Sequence, residues 1–172
     1  MTHVKITAKV LFYLSRIITL IYLTVFLYAL ISLEIFPGSV STHDAGRQFI
    51  IHFPSTRIPF LLGFYNPVYI WIEFLPIFIL YALFFLLLSY VFNVFTQDRL
   101  FTYKGYQYLR LFYLANMIIP LMMLILTELF SEANFDAWAI VGLHMLLSVF
   151  IFFMSAIFKQ ALIIQDEQDL IF

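Results

Sequence analysis

Phe92 to Arg110 reads FNVFTQDRLFTYKGYQYLR, a charged, glycine-containing break between two apolar runs. Asp98, Arg99, Lys104 and Arg110 fall within it, whereas Ile70 to Tyr90 and Leu111 to Leu126 on either side hold one charge between them, Glu73. The runs are of the order of the 20 residues that a helix needs to cross a bilayer. A short basic loop between two spans belongs on the cytoplasmic side, because Lys and Arg resist translocation. Placing that loop inside places every other segment.

Composition agrees. Of 172 residues, 64% are hydrophobic and 11% charged, against roughly 25% charged in soluble proteins, so lipid is the expected solvent. The expected fold is an all-α membrane protein: one unit of four transmembrane helices, with no room for a soluble catalytic domain. The absence of Cys excludes disulfides, thiolate metal sites and thiol catalysis. A net charge of -1, with the basic residues flanking the spans, gives no reason to expect direct nucleic acid binding.

Helix one is read over about 10–33, after Lys5 and Lys9, with Glu34, Pro37 and Gly38 stopping it. A run of about 24 residues exceeds the 7–15 of a signal sequence, so an uncleaved helix is expected. Arg16 can snorkel to the inner interface. The outer loop, 34–69, is rich in Pro and Gly; within it Gln48 to Phe53 and Arg57 to Phe64 read as a small β-hairpin around Pro54-Ser55-Thr56. An irregular loop dipping its aromatics into the interface is the alternative. Helix two, about 70–93, contains Pro76, where a kink is expected. Helix three, about 103–130, has Thr102 as its N-cap and Pro120 inside. Helix four covers about 137–160, from Trp138 to Lys159, and a cytoplasmic tail covers 161–172. Lys5, Lys9, Arg16, Arg99, Lys104, Arg110 and Lys159 then lie inside and only Arg47 and Arg57 outside, which makes both termini cytoplasmic.

Two ionisable groups lie inside spans, Glu73 and His144. A charge at the bilayer centre costs about 2.5–3.5 kcal/mol on insertion scales, so such groups have a partner or a role. Both are expected in the outer leaflet, where a Glu-His pair would bind a proton, a metal ion or a cationic ligand. The plainer reading has Glu73 snorkelling outward and His144 hydrogen-bonding to a neighbouring helix. Ser15, Thr19 and Tyr22, then Asn116, Pro120 and Thr127, and finally His144, Ser148 and Ser155 form stripes expected to face the bundle interior. No nucleotide loop, zinc-protease motif or nucleophile elbow occurs. Neither an enzyme nor a cofactor is expected, and the lack of an internal repeat disfavours a transporter.

The last segment, FKQALIIQDEQDLIF, reads as a helix leaving the fourth span, with an acidic run before three apolar residues. Such an end either lies on the inner leaflet and the loop or docks a partner. Phe158-Lys159-Gln160-Ala161, followed by Asp166-Glu167-Gln168-Asp169-Leu170-Ile171-Phe172, resembles the end of the small bacterial four-span proteins called domain of unknown function 2975. That family has glycine where Ala161 stands and threonine where Ile171 stands. Leu100-Phe101-Thr102 and Tyr108-Leu109-Arg110 resemble its central loop, without its usual Gly-x-Pro. The resemblance implies a multi-pass protein of the bacterial inner membrane with no settled activity. It also implies a gene neighbour encoding a small helix-turn-helix regulator. On it rests the expectation of a non-catalytic sensor or regulatory partner of such a regulator. The regulator would dock through Phe101, Thr102, Arg110, Asp166, Glu167, Asp169 and Leu170. The alternative is a small-ligand or ion protein built on Glu73 and His144. Homo-oligomerisation stays open.

Overall fold

Long runs of Leu, Ile, Phe and Tyr leave the backbone to satisfy itself as helix, even where Pro76 and Pro120 fall inside them. The computed structural model describes residues 2–35, 37–97, 99–130 and 137–169. Four helices follow one another: α1 (Thr2–Glu34), α2 (Pro67–Val94), α3 (Tyr103–Phe130) and α4 (Ala137–Asp169). All four are long and apolar enough to cross a membrane. Large apolar side chains lie bare along them, Leu146 at 71% exposure among them. In water that surface would be an association hazard, whereas in lipid it is the solvated face. The expected outer turn at 131–136, together with Asp98 and Leu170 to Phe172, lies outside the described residues.

α2 is the central helix and α1 the peripheral one: 39% of the apolar window of α2 is buried against 11% of that of α1. α1 approaches α2 through the small residues Ala8, Ser15, Ala29 and Ser32, all buried, which bring the backbones close enough for van der Waals packing to hold helices that lipid alone would not press together. Between them Tyr22 stacks on Tyr81 and Phe85, with ring centroids at 5.5 and 5.9 Å. On α4 the buried residues Val141, His144, Ser148, Ile151, Ser155 and Phe158 recur at alternating steps of three and four, the seam of a left-handed helix pair. The partner stripe on α3, from Gly105 through Leu109, Phe112 and Asn116 to Pro120, Leu124 and Thr127, lengthens its steps to four around Pro120. All three stripes expected to turn inward do so in their buried members.

The loop between α1 and α2 differs from the expected hairpin by one strand. β1 (Val40–His43), β2 (Gln48–His52) and β3 (Pro59–Phe64) form an antiparallel sheet in the order β1-β2-β3. Pro59 opens an edge strand, where its missing donor costs no ladder bond. β2 turns Phe49 and Ile51, both fully buried, onto Ala29, Phe74 and Leu75, so the sheet caps the end of the bundle where α1 finishes. Helix limits also move: α1 starts at Thr2 rather than near 10, α2 at Pro67 rather than near 70, and α4 runs nine residues past 160. Gln, Ala, Leu, Ile, Asp and Glu fill that extension without a glycine or proline to stop it.

Candidate functional site

Pro76 has no N–H to offer the carbonyl four residues earlier. The backbone answers with a wide π turn at Ile70–Phe74, closed by the Leu75 N–H on the Ile70 carbonyl; the kink expected at Pro76 takes this form. Glu73 sits in that turn and is buried, 5% exposed. It lines a cavity of ≈ 30 Å³ with Pro120 and Thr127 of α3 and Ile140 and Val141 of α4. The space suits a water or a bare cation and nothing larger.

Deeper in the bundle, His144 joins α4 to α3. The Asn116 side-chain N–H donates to the Phe112 carbonyl at 2.8 Å, which turns its Oδ1 to His144 Nδ1, 2.7 Å away. An oxygen that can only accept requires the proton on Nδ1. The ring meets Phe84 edge-on at 5.4 Å and Tyr81 at 6.2 Å, and Ser148 donates to the His144 carbonyl at 2.8 Å. Asn116 stands four residues before Pro120, so its own carbonyl lacks the usual helical donor. A polar layer thus crosses the bundle at the level where proline loosens α3.

Glu73 and His144 line different cavities. The two cavities share Ile140 as a wall, and Tyr81, which faces His144, lies eight residues beyond Glu73, about 12 Å along α2. Among the described residues no group of three His, Asp or Glu is gathered as a metal would need. The sequence placed Asn116 in an inward-facing stripe and had His144 hydrogen-bonding to a neighbouring helix; what it did not show is that the two are partners. A double-mutant cycle on Asn116→Ala and His144→Phe, read by thermal unfolding in detergent, is expected to show a coupling of about 0.6–1.7 kcal/mol, the range for hydrogen bonds between membrane helices.

Of the residues expected to dock a partner, Phe101, Thr102 and Arg110 lie on the loop and the first turns of α3, and Asp166 and Glu167 lie near the far end of α4. Thr102 caps α3, its hydroxyl accepting from the Gly105 N–H at 3.0 Å. Phe158 of α4 is 2% exposed and packs edge-on against Phe101 at 5.1 Å and near Phe95 at 6.2 Å. Gly105 makes this junction possible, since a Cβ there would stand 2.8 Å from Val94 Cγ1. Lys104 lies over the Tyr108 ring at 5.9 Å, Tyr108 stacks on Tyr90 at 5.1 Å, and the Arg16 guanidinium covers Tyr90 at 4.9 Å. This stack of two rings with a cation at each end ties three helices together, and stacking holds Arg16. Arg110, Asp166 and Glu167 are exposed. Asp169 ends the helix, and Leu170 is outside the described residues.

No family model, curated protein or solved structure matches the chain. Beyond Phe158 the helix continues through residue 169, which extends it by about 16 Å at 1.5 Å per residue. Its last turn contains no basic residue, and Asp166 and Glu167 there oppose the negative end of the helix dipole.

Proposed function

We propose that this is a non-catalytic bacterial inner-membrane protein that docks a basic cytoplasmic partner on the loop around Phe101 and on the helical extension after Phe158. The observation that carries the reading is the Phe158 junction: it clamps the loop to α4, so the exposed Asp166 and Glu167 project from a fixed base rather than from a slack tail. Acidic residues at the C-terminal end of a helix are stabilised by an approaching cation, which gives a Lys- or Arg-rich partner a physical reason to bind. Ile163 and Ile164, 50% and 55% exposed, offer it apolar contact on the same extension. The side of the membrane follows from charge: seven of the nine Lys and Arg, Lys5 to Lys159 in the set named above, gather at this end, which the preference of basic residues assigns to the cytoplasm. The small helix-turn-helix regulator implied by the family resemblance suits both the location and the charge.

Co-purification tests this. The intact protein is expected to retain the neighbouring regulator. A chain truncated after Gln160 keeps Phe158 and its packing but is expected to lose the regulator, as is the double reversal Asp166→Lys with Glu167→Lys. Glu73→Gln and His144→Phe are expected to leave recovery unchanged. Equal recovery with the intact and truncated chains overturns the reading. A second reading, an ion site at Glu73, draws on the small cavity beside Thr127 and confines any occupant to the size of a water molecule; it predicts the opposite pattern, with Glu73→Gln abolishing function and truncation leaving it intact.

A further inference from the structure

At the end of the bundle away from both termini, the last turns of α1 and the sheet enclose a cleft of ≈ 740 Å³. It shares no residue with the cavities of Glu73 and His144. Its volume lies in the range of small-molecule sites, about 300–1,000 Å³. Arg57 is the one Lys or Arg of the described lining, which also includes His52, Ser41 and Ser55 and no Asp or Glu. The floor is apolar, from Tyr28 and Ile31 of α1, both within a helix long and apolar enough to span a membrane. In a bilayer crossed by α1, the cleft would open where the headgroup layer meets the hydrocarbon.

Its polar groups are held in place. His52 Nδ1 lies 3.2 Å from the Ser39 carbonyl, which can only accept, so that nitrogen carries the proton, and Nε2 faces the Ser41 hydroxyl at 3.4 Å. Tyr28 donates to the His52 carbonyl and ties β2 to α1. The turn carrying Arg57 is closed by the Phe53 N–H on the Ile58 carbonyl at 3.0 Å and by the Thr56 N–H on the Phe53 carbonyl at 3.0 Å. The Thr56 hydroxyl is spent inside that turn, donating to the Phe53 carbonyl and accepting from the Ile58 N–H. Ser55 holds φ at 59°, a left-handed conformation that glycine adopts more easily, and so keeps a hydroxyl on the cleft wall at some backbone cost.

We propose that this cleft binds the phosphate group of a small organic phosphate, with Arg57 as the principal ligand and the organic body lying on Tyr28 and Ile31. A guanidinium presents paired donors that match phosphate oxygens. The Ser55 hydroxyl adds a donor, and no carboxylate among the described lining residues opposes the anion. Two sources share this chemistry: the headgroup of an anionic phospholipid, entering sideways from the bilayer, and a soluble phosphate ester, entering from the aqueous side.

Full-length protein in nanodiscs separates them. In one arm, phosphatidylcholine discs are titrated with sn-glycerol 3-phosphate; in the other, discs are made with increasing phosphatidylglycerol. Thermal unfolding reads the protection in both. Arg57→Gln is expected to fold normally, because Arg57 is exposed, and to weaken the ligand effect at least about tenfold, as loss of a charge-assisted hydrogen bond does. Arg47→Gln removes an exposed arginine at the other end of β2 that does not line the cleft and is expected to change nothing. Protection dependent on Arg57 in either arm supports the proposal, and the arm in which it appears names the source. Absence of protection in both arms overturns it, as does an Arg57→Gln variant protected like the parent or an Arg47→Gln variant weakened as much as Arg57→Gln.

Discussion

Phe158→Ala is expected to lower the stability of the bundle by about 3 kcal/mol, the low end of the range for truncating a buried Phe. The low end applies because lipid tails partly replace lost apolar contacts when membrane helices part. What lipid does not replace is the junction. Phe158 belongs to a cluster with Leu87, Val91, Val94, Leu109, Phe112 and Ile151, drawn from α2, α3 and α4, and its ring also meets Phe95 and Phe101 from the loop. Truncation removes the wedge that holds loop, α3 and α4 at fixed separation. Thermal unfolding in detergent is expected to show the loss, and limited proteolysis is expected to cut between Phe95 and Thr102 sooner. Phe158→Leu, which retains most of the volume, is expected to cost under about 1.5 kcal/mol. Under the proposed function the alanine variant also loses partner recovery while its Asp166 and Glu167 remain, so it separates the base of the docking end from its charges. A variant as stable as the parent would remove the argument for a rigid platform.

How much of this was legible in the residues depends on the kind of signal. Four long apolar runs announced four helices, and α3 (Tyr103–Phe130) has the limits that its Thr102 cap and its apolar pattern imply. Glu73 and His144 stood out as ionisable groups inside apolar runs. Their places in two cavities did not show, because they depend on the π turn that carries Glu73 and on Asn116 reaching His144 from α3. β1 was illegible for a different reason. Val40-Ser41-Thr42-His43 has one apolar residue and no alternation, and three of its four residues are exposed; pairing with β2 makes it a strand, and pairing is a property of the partner. The ring ladder from Lys104 to Arg16 spans three helices that are distant in sequence, so no local pattern announces it. The cleft beside Arg57 was hidden likewise, since its walls come from α1, β1 and the turn before β3.

Gly63 gives the sharpest test of the sheet's placement, because two rules predict opposite signs. Glycine inside a strand is ordinarily unfavourable relative to alanine by about 0.5–1 kcal/mol, so Gly63→Ala would stabilise an isolated strand. In the folded protein Gly63 pairs with Phe49 across β2 and β3, and a Cβ there would stand 2.6 Å from Phe49 Cζ and 2.8 Å from its Cε1. The ring has little freedom to yield, for Phe49 is fully buried and meets Phe74 edge-on at 5.0 Å, while Tyr69 Cε1 stands 3.2 Å from the same added carbon. Overpacking of this kind costs about 1–3 kcal/mol, which exceeds the gain in propensity, so Gly63→Ala is expected to destabilise and Gly63→Val to do so more. Phe49→Leu, a poor change alone, is expected to rescue part of the loss when combined with Gly63→Ala, because the shorter side chain vacates the contested space. Unfolding midpoints of the two single variants and the double variant give the coupling directly. If Gly63→Ala raises the midpoint, Phe49 does not cover Gly63, and the sheet loses the contact through which Phe49 reaches Phe74 and the π turn that holds Glu73. The cleft wall beside Arg57 would then lose its footing as well, since β2 carries both Phe49 and His52.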